Sequence, residues 1–145
     1  MSFMDSFTTG TAINSTQVNI TLRAVEKGCF VDGSMQLAAL VDDHIVGCVD
    51  LYNYDPIHCR AEVGIVVESR WRRKGCASAM LQSLDVMCIH DLHLHQLYAD
   101  VVATHAVSMH LFERCGYRPV GRMKEWVLVK DEYLDVVRFQ KILKQ

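Results

Sequence analysis

The densest group of residues able to bind a ligand lies in the segment Glu68–Ala77, whose sequence is ESRWRRKGCA, with four of the chain's 15 basic residues inside Arg70–Lys74. An apolar run precedes it and an amphipathic run follows it, which predicts a loop between a strand and a helix. Free N–H groups at a helix N-terminus, the positive end of its macrodipole and small residues at Gly75 and Ala77 favour phosphate binding. The pattern predicts a pyrophosphate or polyphosphate site. The alternative is a solvated basic loop whose glycine makes a turn.

Other residues that could bind ligands or do chemistry do not match well-known nucleotide, metal or disulfide motifs. The sequence contains neither G-x-x-x-x-G-K-[ST] nor G-x-G-x-x-G. His93 and His95 would share one face of a strand, but no cysteine stands at ligand spacing, so we expect no metal site. The six cysteines are widely spaced and include no C-x-x-C, which predicts reduced, mostly buried thiols. The place of Cys76 beside a helix N-terminus favours a lowered thiol pKa.

Composition limits the class of protein. The chain has 145 residues, enough for one domain, and half of them are apolar. A net charge of -2 predicts no general affinity for nucleic acid or for an anionic membrane. The sequence has no apolar run of membrane-spanning length, and its N-terminus lacks the basic residues of a signal peptide, so we expect a cytoplasmic protein. Residues 1–34 are predicted to be a reduced or mobile segment, and residues 35–145 the folded domain.

The segments before the basic loop read as strands. Val18–Ala24 alternates apolar and polar residues, which suits a short strand. Three apolar runs follow, at Met35–Val41, Ile45–Tyr52 and Arg60–Val67, and short turns with Asp, Asn and Pro separate them. This arrangement predicts an antiparallel meander.

Beyond the loop the apolar spacing changes to that of a helix. The spacing of Ala77, Leu81, Leu84 and Cys88 defines one helix face. The later elements are predicted as a strand at Leu94–Val102, a helix at Ala106–Cys115 that ends before Gly116, and strands at Trp126–Val129 and Leu134–Leu143. A helical crossover between strands demands a parallel pair, so the fold class is α/β with a mixed sheet.

The basic loop and its neighbours resemble one known family. Arg72–Ala77, of sequence RRKGCA, is similar to the R/Q-x-x-G-x-G/A signature of the GNAT acetyltransferase superfamily. Arg60–Val67, Leu92–Tyr98 and Ser108–Tyr117 resemble its preceding strand, following strand and second helix, in order, so the likeness covers about residues 35–143. It is closest to the spermidine and ribosomal-protein acetyltransferase branches, with a shortened N-terminal region. The resemblance implies a mostly antiparallel sheet with a central splayed parallel pair flanked by helices.

The resemblance also implies a co-substrate, acetyl-CoA, and no metal. Backbone N–H groups from Arg73 to Ala77 would hold the pyrophosphate, and main-chain groups of Ile65 and Val67 would meet the pantetheine arm. His105 stands where relatives often have asparagine, and it can still donate a hydrogen bond. The residues assigned to acetyl-CoA in this way are Ile65, Val67, Arg72, Arg73, Lys74, Gly75, Cys76, Ala77, His105, Ser108 and Phe112.

Proton transfer is the second requirement of the implied reaction. A protonated alkylamine, with a pKa near 10.4 in water, cannot attack a thioester, so a general base is needed. Glu62 interrupts an apolar strand where GNAT enzymes often carry a catalytic glutamate. The alternative interpretations are that Glu62 is solvated or that it pairs with Arg60 or a lysine. Phe112 replaces the tyrosine that often serves as the acid. Tyr117 is the nearest hydroxyl and the second catalytic candidate, with core packing as its alternative.

The implied function is transfer of an acetyl group from acetyl-CoA to a primary amine, for which a polyamine such as spermidine is one candidate. Two alternatives stay open: an acyl-CoA-binding or regulatory module with impaired catalysis, and an acetyltransferase for a protein N-terminus or lysine. The shortened front predicts uncovered apolar surface on the meander and hence a homodimer or higher homo-oligomer whose partner walls part of the acceptor site near Glu62. We expect no nucleic-acid or membrane partner.

Overall fold

The computed structural model describes residues 7–11, 18–25 and 30–144, so the predicted N-terminal segment 1–34 lies partly outside the described residues. The elements are β1 (Phe7–Thr11), β2 (Val18–Ala24), β3 (Met35–Val41), β4 (His44–Asp55), β5 (Arg60–Val67), α1 (Cys76–His90), β6 (Gln96–Val102), α2 (Ala106–Arg114), β7 (Arg118–Val129) and β8 (Glu132–Ile142). The eight strands form one sheet in the order β1-β2-β3-β4-β5-β6-β8-β7. Every neighbouring pair is antiparallel except β5 and β6.

One hydrophobic core joins the two helices to the sheet. Strand side chains alternate between two faces, so every second residue of the central strands is available to this core. Its fully buried members include Leu37, Leu51, Leu84, Leu97 and Phe139, which come from four strands and from α1. The alternate residues lie outside the core and form what we call the polar face of the sheet, made of Asp50, Tyr52, Glu62, Gly64, Tyr98, Asp100, Arg138 and Gln140.

The parallel pair is short, and this opens the sheet at its centre. Residues Arg60–Glu62 of β5 pair with Gln96–Tyr98 of β6, and the pairing ends there. β4 continues beside β5 as far as Val67, while β6 continues beside β8. Within the described residues, the β6 side of Val63–Val67 therefore has no strand partner. The predicted mixed, mostly antiparallel sheet with a splayed parallel pair is confirmed.

The predicted elements match except at the end of the chain. β7 begins at Arg118, eight residues before the predicted Trp126. It is an edge strand with register irregularities between Pro119 and Gly121 and between Met123 and Val127. These interruptions, together with exposure of nearly every side chain, remove the alternation that marks a half-buried strand. β1 was also not predicted, because FTTGT contains one large apolar residue.

A partly buried ion pair fixes the end of α2 against α1 and β8. The Lys141 ammonium donates to Asp85 Oδ2 and to the Cys115 carbonyl, at 2.5 and 2.6 Å. The same ammonium lies 5.7 Å from the centre of the Tyr117 ring. Burial raises the pKa of Asp85, and the hydrogen bond and charge of Lys141 oppose that shift only in part. The Lys141 ammonium therefore links α1, the end of α2 and β8.

Lys141→Met is expected to lower the free energy of unfolding by roughly 3 kcal/mol at neutral pH, because it leaves the Asp85 carboxylate buried without its cation. The substitution raises the already raised pKa of Asp85 further. The folded state then binds a proton more readily than the unfolded chain, so the deficit shrinks as the pH falls into the ordinary range of a carboxyl group. Urea denaturation at neutral and mildly acidic pH measures both effects.

The control for this experiment is the double variant Asp85→Leu, Lys141→Met. Removal of both charges leaves no unpaired charge, and only the Cys115 carbonyl loses a donor, so most of the lost stability should return. A single variant as stable as the parent at neutral pH would show that the pair contributes nothing.

Candidate active site

The predicted phosphate loop has the backbone of an anion site. A single 3₁₀ turn, Ser69–Trp71, follows β5, and the N-cap of α1 is Gly75. Gly75 has a φ of +80°, in the left-handed region that side chains disfavour, and Arg73 has a φ of +61°. No side chain caps the helix, so the first N–H groups of α1 keep their capacity to bind an anion.

The charged side chains of the loop are exposed around this N-terminus. Arg72 is tied down, since its Nε donates to the Val67 carbonyl at 3.1 Å, and Arg70 pairs with Glu68 at 2.8 Å. The Lys74 ammonium lies 5.4 Å from the centre of the Trp71 ring. An uncapped helix start surrounded by guanidinium and ammonium groups suits a pyrophosphate, which is the charged part of acetyl-CoA that this loop would hold.

The Cys76 thiol does not have the lowered pKa that the sequence predicts. Its side chain is only 2% exposed, because it begins the buried face of α1. Burial raises the pKa of the thiol, and the nearby Lys74 ammonium only partly opposes this. The expectation of a lowered pKa was wrong, since desolvation outweighs the charge. Cys76 can still offer its backbone N–H to a phosphate.

The slot between β5 and β6 begins where the loop ends. Ile65 and Val67 are half-buried residues of the unpaired stretch of β5, so their main-chain groups on the β6 side, apart from the Val67 carbonyl, are open to an added chain. The Val67 carbonyl accepts the hydrogen bond from Arg72, which anchors the loop to the end of the strand. Loop and slot are therefore continuous along β5.

Glu62 lies at the other end of the slot, in the last pair that β5 makes with β6. It is half-buried on the polar face, and its Oε1 accepts a hydrogen bond from Asn53 Nδ2 at 2.9 Å. The suggested pair with Arg60 is absent from the described ion pairs, since Arg60 pairs with Asp55 at 3.4 Å. A neutral amide therefore holds the Glu62 carboxylate and does not supply it with a counter-charge.

Tyr52 is a candidate site residue that the sequence analysis missed, and Asp50 lies beside it on the same face. Tyr52 lies directly opposite Glu62 in the antiparallel β4–β5 register, and Asp50 lies opposite Gly64. The Tyr52 hydroxyl donates to Asp50 Oδ2 at 3.0 Å. A signal was available: alternation along β4 puts both residues on the face of Glu62, and a glycine interrupts the apolar strand beside them.

The start of α2 carries two predicted cofactor residues. His105 is the N-cap of α2, and its Nδ1 accepts a hydrogen bond from the Ser108 N–H at 3.2 Å. This hydrogen bond leaves the imidazole proton on Nε2, which remains able to donate to a ligand. Ser108 contributes through its main chain, and its side chain is half-buried.

Phe112 and Tyr117 belong to the core. They are 3% and 2% exposed, and their rings meet edge to face with 5.0 Å between centres. The Tyr117 hydroxyl has no partner among the described residues, and burial raises its pKa well above the ordinary value. The catalytic prediction for Tyr117 is therefore corrected to a packing role. Phe112 likewise packs between Tyr117 and Phe139 and offers no exposed ring to a ligand.

The described residues contain no group of three or more His, Cys, Asp and Glu side chains placed to hold a metal ion. Neither helix in the described part of the chain is long and apolar enough to cross a membrane.

A mixed sheet whose one parallel pair splays beside an uncapped basic helix start is the architecture of a GNAT-type α/β domain. The chain belongs to the acetyltransferase (GNAT) family, whose family model matches residues 8–117, well over half of its length. The predicted family is thereby confirmed.

The curated relatives span several acceptor classes. The chain is 30% identical to the L-amino acid N-acetyltransferase AaaT of Escherichia coli, over 71% of this chain and 65% of that protein. It is 28% identical to the spermidine N(1)-acetyltransferase of Vibrio cholerae, over 66% and 55%. It is 23% identical to the putative ribosomal N-acetyltransferase YdaF of Bacillus subtilis, over 81% and 59%. The chain thus spans less than two thirds of the length of these relatives.

Solved structures of spermidine N-acetyltransferase from Vibrio cholerae share the fold. A chimera of that protein with hSSAT superposes with a TM-score of 0.74 at 24% identity, covering 77% of this chain and 68% of the other. Mutant forms described as spermidine/spermine N-acetyltransferase give 0.78 at 21%, covering 86% and 95%. A dodecameric structure gives 0.72 at 24%, covering 77% and 66%.

Proposed function

We propose that this protein is an N-acetyltransferase that moves the acetyl group of acetyl-CoA to a primary amine, with a polyamine such as spermidine as the leading candidate. The observation that carries the proposal is the alignment along one strand of three features: the basic loop after Val67, the unpaired stretch Val63–Val67, and Glu62 at its far end. The pyrophosphate would bind at the loop after β5, the pantetheine arm along the unpaired stretch, and the reacting acetyl group beside Glu62. Family membership and the named spermidine relatives support this assignment.

The residues of the loop and slot have the binding role. Backbone N–H groups from Arg73 to Ala77 and the neighbouring cations bind the pyrophosphate, while His105 Nε2 can donate to the cofactor from the start of α2. The unpaired main chain at Ile65 and Val67 accepts the arm as an added strand would be accepted. Acetyl-CoA supplies an activated acetyl thioester and a thiolate leaving group.

Glu62 has the catalytic role in this proposal. It accepts a proton from the acceptor ammonium, so that the free amine can attack the acetyl carbon; a carbon–nitrogen bond forms and the carbon–sulfur bond breaks. The nitrogen loses its second proton as the tetrahedral adduct collapses, and that proton reaches the thiolate through water. No tyrosine is needed at position 112 for this step, because a free thiol titrates near 8.5 and thiolate is a tolerable leaving group. No covalent intermediate with the chain is involved.

A thiol-release assay with acetyl-CoA against polyamines, aminoglycosides, amino acids and peptides tests the proposal. Release that depends on a polyamine is the expected result. Binding of acetyl-CoA without release for any amine would contradict it. That result would favour the second candidate, an acyl-CoA-binding or regulatory module, for which the burial of Phe112 and Tyr117 is the supporting observation.

We also expect a homodimer or a higher homo-oligomer in the cytoplasm. Large exposed apolar residues gather on the hairpin of β7 and β8, where Trp126, Leu128 and Tyr133 are 62%, 58% and 61% exposed. An exposed edge strand with such side chains suits an interface. The dodecameric neighbour supports assembly of the family fold.

Light scattering should therefore return at least twice the monomer mass of 16.5 kDa. Trp126→Lys should reduce that mass, because a charge replaces an apolar contact. A fully active preparation with the monomer mass would contradict the prediction, including the expected contribution of the partner to the acceptor site near Glu62.

A further inference from the structure

The Tyr52 ring occupies space that only a glycine at position 64 leaves open. A Cβ atom placed on Gly64 would lie 2.8 Å from Tyr52 Cε2 and 3.1 Å from its hydroxyl oxygen. Such distances are too short for real side chains, so the phenol lies directly against the β5 backbone. Gly64 is two residues beyond Glu62, the last residue of β5 that pairs with β6. The phenol therefore lies beside the mouth of the slot.

The Tyr52 hydroxyl is oriented by its partner. It donates to Asp50 Oδ2 at 3.0 Å, from the same strand and the same face. Burial and this hydrogen bond raise the pKa of Tyr52 to about 12, with the charges of Asp50, Cys48 and Glu62 adding to the shift. The phenol stays protonated with its proton directed at Asp50, and this makes it a poor proton donor to a leaving thiolate. Its oxygen lone pairs remain available as acceptors.

Glu62 provides a second acceptor on the same face of the sheet. Tyr52 and Glu62 are directly opposite each other in the antiparallel register, which places their Cβ atoms about 4.5–5.5 Å apart. Asn53 holds the Glu62 carboxylate from the side. The neighbouring cation on the polar face, Arg138, is engaged in a two-point pair with Asp100 at 2.8 and 2.9 Å, and its charge also acts on Glu62. Tyr52 and Glu62 therefore both present acceptor oxygens on this face.

We propose that Tyr52 binds the acceptor amine: its phenol oxygen, oriented by Asp50, accepts a hydrogen bond from the nitrogen that Glu62 deprotonates. The inference rests on the proposed acetyl transfer and adds the group that places the amine at the mouth of the slot. A primary ammonium carries three N–H donors, so it can donate to Tyr52 and Glu62 together; once Glu62 has taken one proton, the neutral amine keeps its hydrogen bond to Tyr52 and can turn the freed lone pair to the acetyl carbon. Asp50 acts through Tyr52 and is a positioning residue.

The test measures amine binding directly as well as turnover. Isothermal titration of spermidine into the protein saturated with CoA should show roughly tenfold weaker binding for Tyr52→Phe, because one hydrogen bond to a charged group is lost. The KM for spermidine should rise by a similar factor with a smaller change in kcat, and the affinity for acetyl-CoA should stay the same. Tyr54→Phe, which removes a hydroxyl from the same strand and keeps the ring stacked on Phe30, should change none of these.

Asp50→Ala removes the acceptor that orients the Tyr52 hydroxyl, which asparagine would keep. In the parent it should weaken spermidine binding, whereas in the Tyr52→Phe background it should add little, because its effect passes through the phenol. Additive losses would instead show that Asp50 meets the amine by itself. If Tyr52→Phe does not fold, Asp50→Ala alone still decides: unchanged spermidine affinity overturns the proposal.

Three further outcomes test the role of Tyr52 and the proposed function. Unchanged spermidine affinity in a folded Tyr52→Phe variant overturns the role of Tyr52. So does a parent protein that binds no amine in the presence of CoA. A parent that binds spermidine but releases no thiol refutes the proposed function, and the comparison with Tyr52→Phe still tests the amine site in that case.

Discussion

Glu62→Gln is expected to lower kcat by roughly 10²–10⁴-fold while the affinity for acetyl-CoA stays nearly the same. Glutamine keeps the size of the side chain and can still accept the hydrogen bond from Asn53, but it cannot take a proton from the amine. The rate of the parent should rise with pH through a single ionisation, and the variant should lose that dependence. Steady-state kinetics over a pH series with saturating acetyl-CoA measures both effects.

The matched control is Glu132→Gln, the same substitution at an exposed position where β8 begins. It should leave the kinetics unchanged. A Glu62→Gln variant with the rate and pH profile of the parent would show that another group, or bulk water, removes the proton.

Gly75→Glu should abolish acetyl-CoA binding. The new side chain would stand at the N-cap of α1, with a negative charge where the pyrophosphate is proposed to bind, and the φ of +80° adds backbone strain. Acetyl-CoA should raise the melting temperature of the parent, because it binds only the folded state. In the variant this increase should vanish, as a thermal melt with and without the ligand can show.

Two controls isolate the cause of the loss. Gly33→Glu places the same side chain at a turn glycine with a φ of +79°, remote in the chain from the loop, and should keep the full increase in melting temperature. Gly75→Ala adds strain without charge and should give an intermediate increase. An undiminished increase in Gly75→Glu would remove the loop as the site.

The strand, loop and helix around the candidate site could be predicted because local rules agree there. Arg60–Val67 is β-branched and apolar, Gly75 marks the left-handed turn, and the spacing from Ala77 to Cys88 is helical. The structure has β5, the N-cap and α1 in these places. The parallel pair follows from the crossover, since a helix between neighbouring strands of one sheet makes them parallel.

The features that were missed depend on neighbours distant in sequence. The contact of Tyr52 with Gly64 requires the β4–β5 register, which the turn at Asn53–Cys59 sets with an irregularity. The raised pKa of the Cys76 thiol depends on how deeply α1 packs, and loop charge alone gave the opposite sign. The packing role of Tyr117 depends on Phe112 and on the Asp85–Lys141 pair, which joins residues 56 positions apart. Alternation along β4 places Tyr52 on the face of Glu62, but spacing along the chain does not give the contacts that these three side chains make.

The unpaired stretch of β5 sets the distance between the two ends of the site. Five residues, Val63–Val67, separate Glu62 from the loop, a length of roughly 16 Å at about 3.3 Å per residue. Parity matters as much as length, because one residue more or less in this stretch would turn Glu62 from the polar face to the core relative to the loop. The count of residues between base and phosphate loop is therefore fixed, and among the side chains of this stretch the absence of one at Gly64 is fixed as well, by the Tyr52 ring.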